Sequence, residues 1–338
     1  MSQTTMHAAV AVQAEAPLQL QELPIPVPQA GQVLVKVMAS GVNPLDTKIS
    51  RGQGGHARQP LPAVLGMDMA GVVQALGAGV SAFKIGDEVY GMVGGIGGQQ
   101  GSLAQYMAVD ADLLARKPYN LSMREAAALP LIFITAWEGL VDRAKVQPGH
   151  RVLIHGGAGG VGHIAVQIAK AHGANVFATG SASSRETIEG FDATAIDYRE
   201  QTPAQYMEQY SAGEGFDIVY DTVGGATLDA SFSVAKVYTG HVVSCLGWGE
   251  HKLAPLSFRG ATYSGVFTLL PLLTGKGRKH HGEIMAEATR MAEAGQLRVR
   301  LDDRRFTLND VNDAYRVVAE GNAAGKVVVE LQPSSERN

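Results

Sequence analysis

The apolar residues change period part-way along the chain, and that change divides it in two. Early on they alternate. Val33, Val35 and Val37 point one way in residues 32–38, the two-residue repeat of a half-buried strand. Residues 6–12 and 18–23 read as a pair of short strands before it, and residues 66–73, 86–91 and 102–109 as strands after it. Turn signals separate them: Pro24, Pro26 and Pro28 in an extended link, the Asn43-Pro44 pair, and a Gly- and Pro-rich loop over 53–62. Residues 46–51 suit one short helix. Residues 91–101 hold six glycines, so a mobile loop is expected there. Short strands broken by turns every ten or so residues predict a compact, barrel-like β domain.

From Ser122 the period lengthens. Residues 123–146 form a long helical pattern interrupted by Pro130, opened by a Ser122–Glu125 capping box. Strands and helices then alternate. A strand over 151–155 precedes a helix carrying Ile164, Ala165, Ile168 and Ala169, which Gly173 can stop in the left-handed region. A strand over 176–178, a helix after Ser183, a helix at Thr202-Pro203, and strands over 216–222 and 241–247 flanking a helix follow. Such alternation demands a parallel sheet with helices on both faces. A helix over 282–295, a last helix capped by residues 307–310 and a terminal strand over 326–331, returning to the first domain, complete the pattern. Residues 333–338 are polar and read as a disordered tail.

The bend between the first strand and helix of the alternating region is the first candidate for chemistry. Gly157, Gly159 and Gly162 make G-x-G-x-x-G between a strand and a helix, with Gly160 and Val161 inside the motif. In that context the pattern is a dinucleotide fingerprint. The first glycine permits the tight turn, the second lets backbone approach a pyrophosphate, and the third lets the helix pack on its strand. The helix N-terminus adds free N–H groups and a positive dipole end. The same stretch bears on the cofactor. NAD sites usually carry an acid about 20 residues after the turn, yet residues 163–185 contain no Asp or Glu. Thr179, Ser181, Ser183, Ser184 and Arg185 stand there instead. Hydroxyls and a guanidinium suit the 2′-phosphate of NADPH, although Ser183 also reads as a helix cap completed by Glu186.

Composition narrows the classes. The 338-residue chain is 46% hydrophobic and 18% charged, ordinary for a soluble protein of two domains. A net charge of −4 leaves no electrostatic footprint for nucleic acid or an anionic membrane. Cys245, the one cysteine, excludes an internal disulfide and a cysteine-rich zinc site, and fits a reducing, cytoplasmic compartment. The N-terminal residues lack a basic region followed by a long apolar core and no run of about 18 apolar residues exists, so neither a signal peptide nor a transmembrane helix is expected.

The order of the parts resembles the medium-chain dehydrogenase/reductase superfamily, and within it the zinc-independent quinone oxidoreductase branch. The matching pieces are SGVNPLD at 40–46, GMDMAGVV at 66–73, GDEVYG at 86–91, AAALPLIFITAWEGL at 126–140, the glycine stretch, DYRE at 197–200, DTVGG at 221–225 and GKVVVEL at 325–331. The resemblance implies an α/β chain: a GroES-like, β-rich catalytic domain over 1–125 and 273–338, and an inserted Rossmann domain with a doubly wound parallel sheet over 126–272. It also implies an active site in the cleft and often a homodimer through the Rossmann sheet edge, near Cys245 and Gly247. It places the residue matching Thr135 against the nicotinamide, and Tyr198 with Ser181 and Arg185 on the adenine ribose side. Leu246, Gly247 and Phe267 follow sheet strands and should line the cofactor groove.

Departures from the zinc branch are informative. Asn43 and Met67 match positions where zinc alcohol dehydrogenases carry a cysteine and a histidine, and residues 131–134 are wholly apolar where a third ligand should lie. Catalytic zinc needs three N, S or O protein ligands, so no metal is expected. Hydride transfer from NADPH to a conjugated, electron-poor acceptor needs least help in a metal-free site. A quinone is the first expectation, an enone or 2-alkenoate C=C bond the alternative, and a non-catalytic nucleotide-binding protein a third. Asn43 either orients acceptor or nicotinamide or merely makes an Asn-Pro turn. Asp46 either orders water or holds Lys48, or is a solvated helix cap. His155 fills a strand end, His280 and His281 lie on a solvated basic loop, and Cys245 is a small buried hydrophobe.

Overall fold

The computed structural model describes residues 4–331. The chain divides into two units: residues up to Leu131 together with those from Leu269 form one, and Ile132–Thr268 the other. These borders lie a few residues from those expected. Each unit has its own sheets.

The first unit begins with β1 (Thr5–Ala11), β2 (Gln19–Pro24) and β3 (Gln32–Val42). Helix α1 (Pro44–Ser50) leaves β3 directly, followed by β4 (Ala63–Val64), β5 (Asp68–Leu76), β6 (Glu88–Met92), β7 (Tyr106–Asp110), β8 (Ala115–Arg116) and α2 (Met123–Ala127). β2, β1 and β4 make a small sheet, and β3 and β5 lie inside the larger one. Val33, Val35 and Val37 are fully buried, as their alternation predicts. The register of β3 on β5 shifts at Leu34/Val35 and at Val37/Ala39, bulges that bend a long strand.

The glycine-rich stretch is not the free loop expected: Val93 to Ile96 are buried. Gly97 N–H donates to Ala57 O at 2.9 Å, and Gln99 Nε2 to Leu272 O at 2.7 Å. A Cβ on Gly94 would lie 2.1 Å from Gln100 O, so close packing explains that glycine.

The second unit is the alternating region. Helix α3 (Pro130–Trp137) leads in, and β9 (Arg151–His155), α4 (Gly160–Ala171), β10 (Asn175–Gly180), α5 (Arg185–Glu189) and β11 (Thr194–Asp197) follow. The chain then returns through α6 (Pro203–Ser211), β12 (Ile218–Asp221), α7 (Ala226–Val234), β13 (His241–Ser244), α8 (Ala254–Ser257) and β14 (Thr262–Gly265). The sheet order is β11-β10-β9-β12-β13-β14, every pair parallel. Building runs outward from β9 one way, then restarts at β12 the other way. The crevice between β9 and β12 is therefore the switch point where such sheets take ligands. Leu153, Phe216, Val219, Leu228, Phe232 and Val242 anchor the core beneath it, each stabilising the fold by about 1.5–3 kcal/mol.

The chain re-enters the first unit through α9 (Leu270–Thr274), α10 (Arg278–Glu293), β15 (Phe306–Thr307), α11 (Val311–Ala319) and β16 (Val327–Glu330). α10 starts at Arg278 and His281 is 1% exposed, so the pair of histidines is helical and half of it buried, not a solvated loop. β16 pairs antiparallel with β3, Val327 opposite Val42, the predicted return. The expected disordered tail lies outside the described residues.

Candidate functional site

β9 ends at His155 and the chain turns at Gly156, whose φ is +73°. The tight turn thus sits one residue before Gly157, where the sequence placed it. Gly157 serves packing: a Cβ there would lie 2.5 Å from the Ala178 Cβ of the neighbouring strand. Gly159 precedes α4 with an extended φ of −73°. Its N–H donates to Gly156 O at 2.9 Å, and its carbonyl accepts from His163 N at 3.0 Å. A Cβ on Gly162 would lie 2.0 Å from Gly156 O, so only glycine lets the helix seat on the bend. The amides of Gly160, Val161 and Gly162 belong to the first turn and have no intrahelical carbonyl. Gly159 and Gly160 are exposed, so a pyrophosphate meets backbone N–H groups and no side chain. The bend fits a dinucleotide.

At the end of β10, Ser181 Oγ lies 2.9 Å from Ser183 Oγ and 3.2 Å from Ser184 Oγ. The expected Ser183–Glu186 cap is not made. A 3₁₀ turn over Ala182–Ser184 turns the hydroxyls toward one another, and α5 begins without a side-chain cap. Arg185 reaches Glu189 at 3.3 Å across one exposed turn. Tyr198 N–H donates to Gly180 O at 3.2 Å, its ring is half exposed, and the Arg199 guanidinium sits 5.6 Å over it. Asp197 turns its carboxylate back to Arg199 N at 2.8 Å. Among the described residues no carboxylate hydrogen-bonds into the serine cluster.

A cavity of about 450 Å³ opens here, lined by His155, Thr179, Gly180, Tyr198, Val223 and Thr227 among others. His155 Nδ1 lies 3.1 Å from Thr179 Oγ1, and Nε2 has no protein partner. Burial pulls this imidazole down to about 4, against the opposing charge of Asp221, so it is neutral at pH 7. Asp221 shapes the next turn. Its Oδ1 accepts from Val223 N at 3.1 Å and Gly224 N at 3.0 Å, and its Oδ2 from Ser244 Oγ at 2.7 Å.

Beyond β13 and β14, Leu246 N–H donates to Ser244 Oγ at 3.0 Å, and Phe267 packs edge-on to Trp248 with centroids 5.8 Å apart. A Cβ on Gly247 would lie 2.2 Å from Tyr263 Oη. Thr135 Oγ1 is 3.0 Å from Thr268 Oγ1, and the Thr135 carbonyl accepts from Tyr220 Oη at 2.6 Å. Glycine bend, serine cluster and these residues thus share the carboxyl end of one sheet. Cys245, just past β13, is half-buried with its thiol pushed up to about 12 by burial, which leaves it inert as a nucleophile.

Asn43 and Asp46 belong to the first unit. Asn43 immediately precedes α1, its N–H donates to Asp46 Oδ2 at 2.8 Å, and its carbonyl accepts from Asp46 N at 3.0 Å. The turn reading of Asn43 is met, and its amide is engaged as well. Nδ2 donates to Asp68 Oδ2 at 2.9 Å, and Lys326 Nζ donates to Asn43 Oδ1 and to Val42 O. Asp68 also accepts from Leu131 N on Oδ1 at 2.9 Å, and Lys326 Nζ lies 3.8 Å from its Oδ2. All four side chains are buried.

Asp46 is therefore no solvated cap and holds no Lys48. It caps α1 from the interior because β3 and α1 fold its side chain inward. Burial pushes Asp46 up to about 7 and Asp68 up to about 6, and pulls Lys326 down. Asp46 Oδ1 and Tyr315 Oη, both buried, have no hydrogen-bond partner among the described residues. Met67 is fully buried. Among the described residues no three His, Cys, Asp or Glu side chains converge as a metal site, and no helix is long and apolar enough to cross a membrane.

Sequence reasoning missed Gly156, Asp221, Asp68 and Lys326. Two left a trace: Asp68 is an acid inside an apolar strand, and Lys326 a lone cation at the head of a valine run.

Comparison with known proteins is consistent with this geometry. Residues 29–119 match the alcohol dehydrogenase GroES-like domain family, and residues 190–329 the zinc-binding dehydrogenase family. A 2-methylene-furan-3-one reductase of Solanum lycopersicum is 37% identical over 89% of this chain and 72% of its own length. An NADPH-dependent alkenal/one oxidoreductase, chloroplastic, of Arabidopsis thaliana is 36% identical over 90% of this chain and 73% of its own. The crystal structure of an alcohol dehydrogenase superfamily protein from Novosphingobium aromaticivorans superposes with a TM-score of 0.95 at 55% identity, covering 97% of this chain and 100% of that one. The quinone oxidoreductase from Coxiella burnetii superposes with a TM-score of 0.82 at 29% identity, covering 97% and 100%.

Proposed function

Because the chain belongs to the medium-chain dehydrogenase/reductase superfamily and is an oxidoreductase of that family, we propose that it uses NADPH to reduce a conjugated carbonyl compound, an enone or alkenal, at its C=C bond. One observation carries the cofactor choice: the end of β10 leads into Ser181, Ser183, Ser184 and Arg185, with the three serine hydroxyls clustered and no Asp or Glu among residues 163–185. A carboxylate there would repel a 2′-phosphate, whereas hydroxyls and a guanidinium bind it. The names of the two curated relatives support the acceptor class. A quinone, the first expectation from sequence, stays as the second reading because of the likeness to the Coxiella enzyme.

In this reading the bound nicotinamide supplies a hydride. The chain's own part is placement. The amides of Gly160, Val161 and Gly162 hold the pyrophosphate, and Tyr198 and Arg185 take the adenosine end. Leu246, Gly247, Phe267 and Thr135 line the way to the nicotinamide. Hydride taken up at the β carbon of the acceptor moves the C=C pair into a Cα–C(O) double bond and the carbonyl pair onto oxygen; water then gives a proton to the α carbon as the carbonyl re-forms, leaving hydroxide. Zinc has no part, because the Asn43 amide is spent on Asp68 and Lys326 and Met67 offers only a thioether. Among the described residues β14 pairs with β13 alone, and its open edge suits a homodimer.

The test is NADPH oxidation against a panel of enones, alkenals and quinones, with and without a chelator. Turnover of enones that survives the chelator supports the reading. Turnover of none of them, or activity restored only by zinc, sinks it. Sedimentation of a pure monomer at micromolar concentration would remove the dimer.

A further inference from the structure

Tyr198 and Arg199 follow directly on β11, the strand that pairs with β10 at the edge of the parallel sheet. Gly180 lies opposite Asp197 in that pairing, and the Tyr198 N–H donates to Gly180 O at 3.2 Å. The end of β11 is thus tied to the strand end that leads into Ser181, Ser183, Ser184 and Arg185. Asp197 fixes the turn by accepting from Arg199 N on Oδ1 at 2.8 Å, and its side chain is buried. The Arg199 guanidinium sits over the Tyr198 ring, 5.6 Å from its centroid. Tyr198 lines the cavity of about 450 Å³, so this cation stands beside it.

The two arginines are differently engaged. Arg185 Nη1 lies 3.3 Å from Glu189 Oε1 one helical turn on, so an anion must compete with a carboxylate for it. Among the described residues no carboxylate pairs with Arg199, Glu200 beside it in the chain included. A guanidinium held over a ring spends no N–H on a carboxylate, so the fork that grips two phosphate oxygens at once stays available. The ring contact contributes about 0.5–1 kcal/mol at an exposed site, which biases a flexible side chain toward one place. Two cations, one after β10 and one after β11, flank a run of three clustered hydroxyls. That is more charge than a ribose hydroxyl can use, and it suits the roughly −1.5 to −2 charge of a phosphate monoester at pH 7.

We propose that Arg199, held over Tyr198, is the second cation for the 2′-phosphate of the cofactor, and the one that no carboxylate contests. This rests on the reading that the cofactor is NADPH. Arg185 and Arg199 come to the phosphate from two strand ends, and the serine hydroxyls supply further donors. NADH brings only a hydroxyl to that place and gains nothing from the charge.

The experiment measures binding and needs no acceptor. Wild type, Arg199→Gln and Arg199→Lys are each titrated by calorimetry with NADPH, NADH and 2′,5′-ADP. Arg199→Gln should raise the dissociation constants of NADPH and 2′,5′-ADP about tenfold. Its constant for NADH should stay within twofold of wild type, which also shows that the variant is folded. Lysine keeps the charge and loses the planar fork, so Arg199→Lys should remain about threefold weaker than wild type for 2′,5′-ADP. Unchanged 2′,5′-ADP binding in Arg199→Gln would overturn the proposal. So would an equal weakening of NADH, or a lysine variant indistinguishable from wild type. Wild type that binds NADH as tightly as NADPH defeats the NADPH reading itself, an outcome distinct from a preference for NADPH that ignores residue 199.

Discussion

The glycine bend of the second unit and the Asn43 cluster of the first are built by opposite means. The bend is a backbone site. The groups it offers are amides, its neighbours in space are its neighbours in sequence, and what keeps it open is side chains that are missing. The cluster is a side-chain site. It draws Asn43 and Asp46 from one end of β3, Asp68 from the start of β5 and Lys326 from the head of β16, and it buries charge to hold one amide. A backbone site tolerates burial cheaply because it carries only dipoles. A charged cluster must offset desolvation with a partner for every oxygen, and here Asp46 Oδ1 lacks one.

That contrast can be broken at four points. The largest effect is expected at Gly162→Ala, whose Cβ would meet a backbone carbonyl at 2.0 Å. It should destabilise the second unit by about 3 kcal/mol or more in chemical denaturation. Gly160→Ala, whose Cβ has only the Ile132 side chain at 3.5 Å, is the control that should fold normally. Equal stability of the two would show that the bend yields.

Next comes Asp46→Asn. The carboxyl, pushed from 3.8 up to about 7, takes up a proton on folding, so its contribution to stability is full below pH 4 and is lost as pH rises toward 7. The variant keeps an oxygen for Asn43 N–H and removes the titration. It should match wild type near pH 4 and exceed it by about 2 kcal/mol at pH 8. A difference that does not change with pH would mean that Asp46 titrates normally.

Arg185→Ala should raise KM for NADPH about tenfold, about 1.4 kcal/mol, and leave KM for NADH within twofold. Equal rises for both cofactors would remove the 2′-phosphate from the account. The smallest effect is at His155, which tilts the other way. Its pKa, pulled down to about 4, gives stability that is present above pH 6.5 and lost as pH falls. The unfolding free energy of His155→Leu relative to wild type should therefore improve by about 1 kcal/mol between pH 7 and pH 5. If Asp46→Asn and His155→Leu tilted in the same direction, the opposed electrostatics of the two units would be wrong.

The two sites also differ in how far they could be read from the chain. Gly157, Gly159 and Gly162 announce the bend because strand, turn and helix all lie within a few residues, and only the assignment of the left-handed turn slipped, to Gly156. Ser183 looked like a cap because Ser-x-x-Glu is a sound local pattern. The 3₁₀ turn at Ala182–Ser184 overrode it. The histidines at 280 and 281 were misjudged because a basic run carries no sign of the helix face it will occupy, and His281 turned inward with α10. At Asn43 and Asp46 the turn and the cap were legible, but their burial was not, because it depends on β5 and β16 closing over β3.

Local sequence was sufficient for the period of each element, the parallel sheet, the turn that a phosphate can approach and the lack of an acid beside it. These depend on φ, ψ and side-chain type within one strand–turn–helix unit, which short-range sterics dictate. Tertiary pairing alone decided that Lys326 would stand at Asn43, that Asp68 would face the same amide, and that two carboxylates would lose their water. Contacts across hundreds of residues are set by the strand register of a folded sheet, and no period in the chain carries that information.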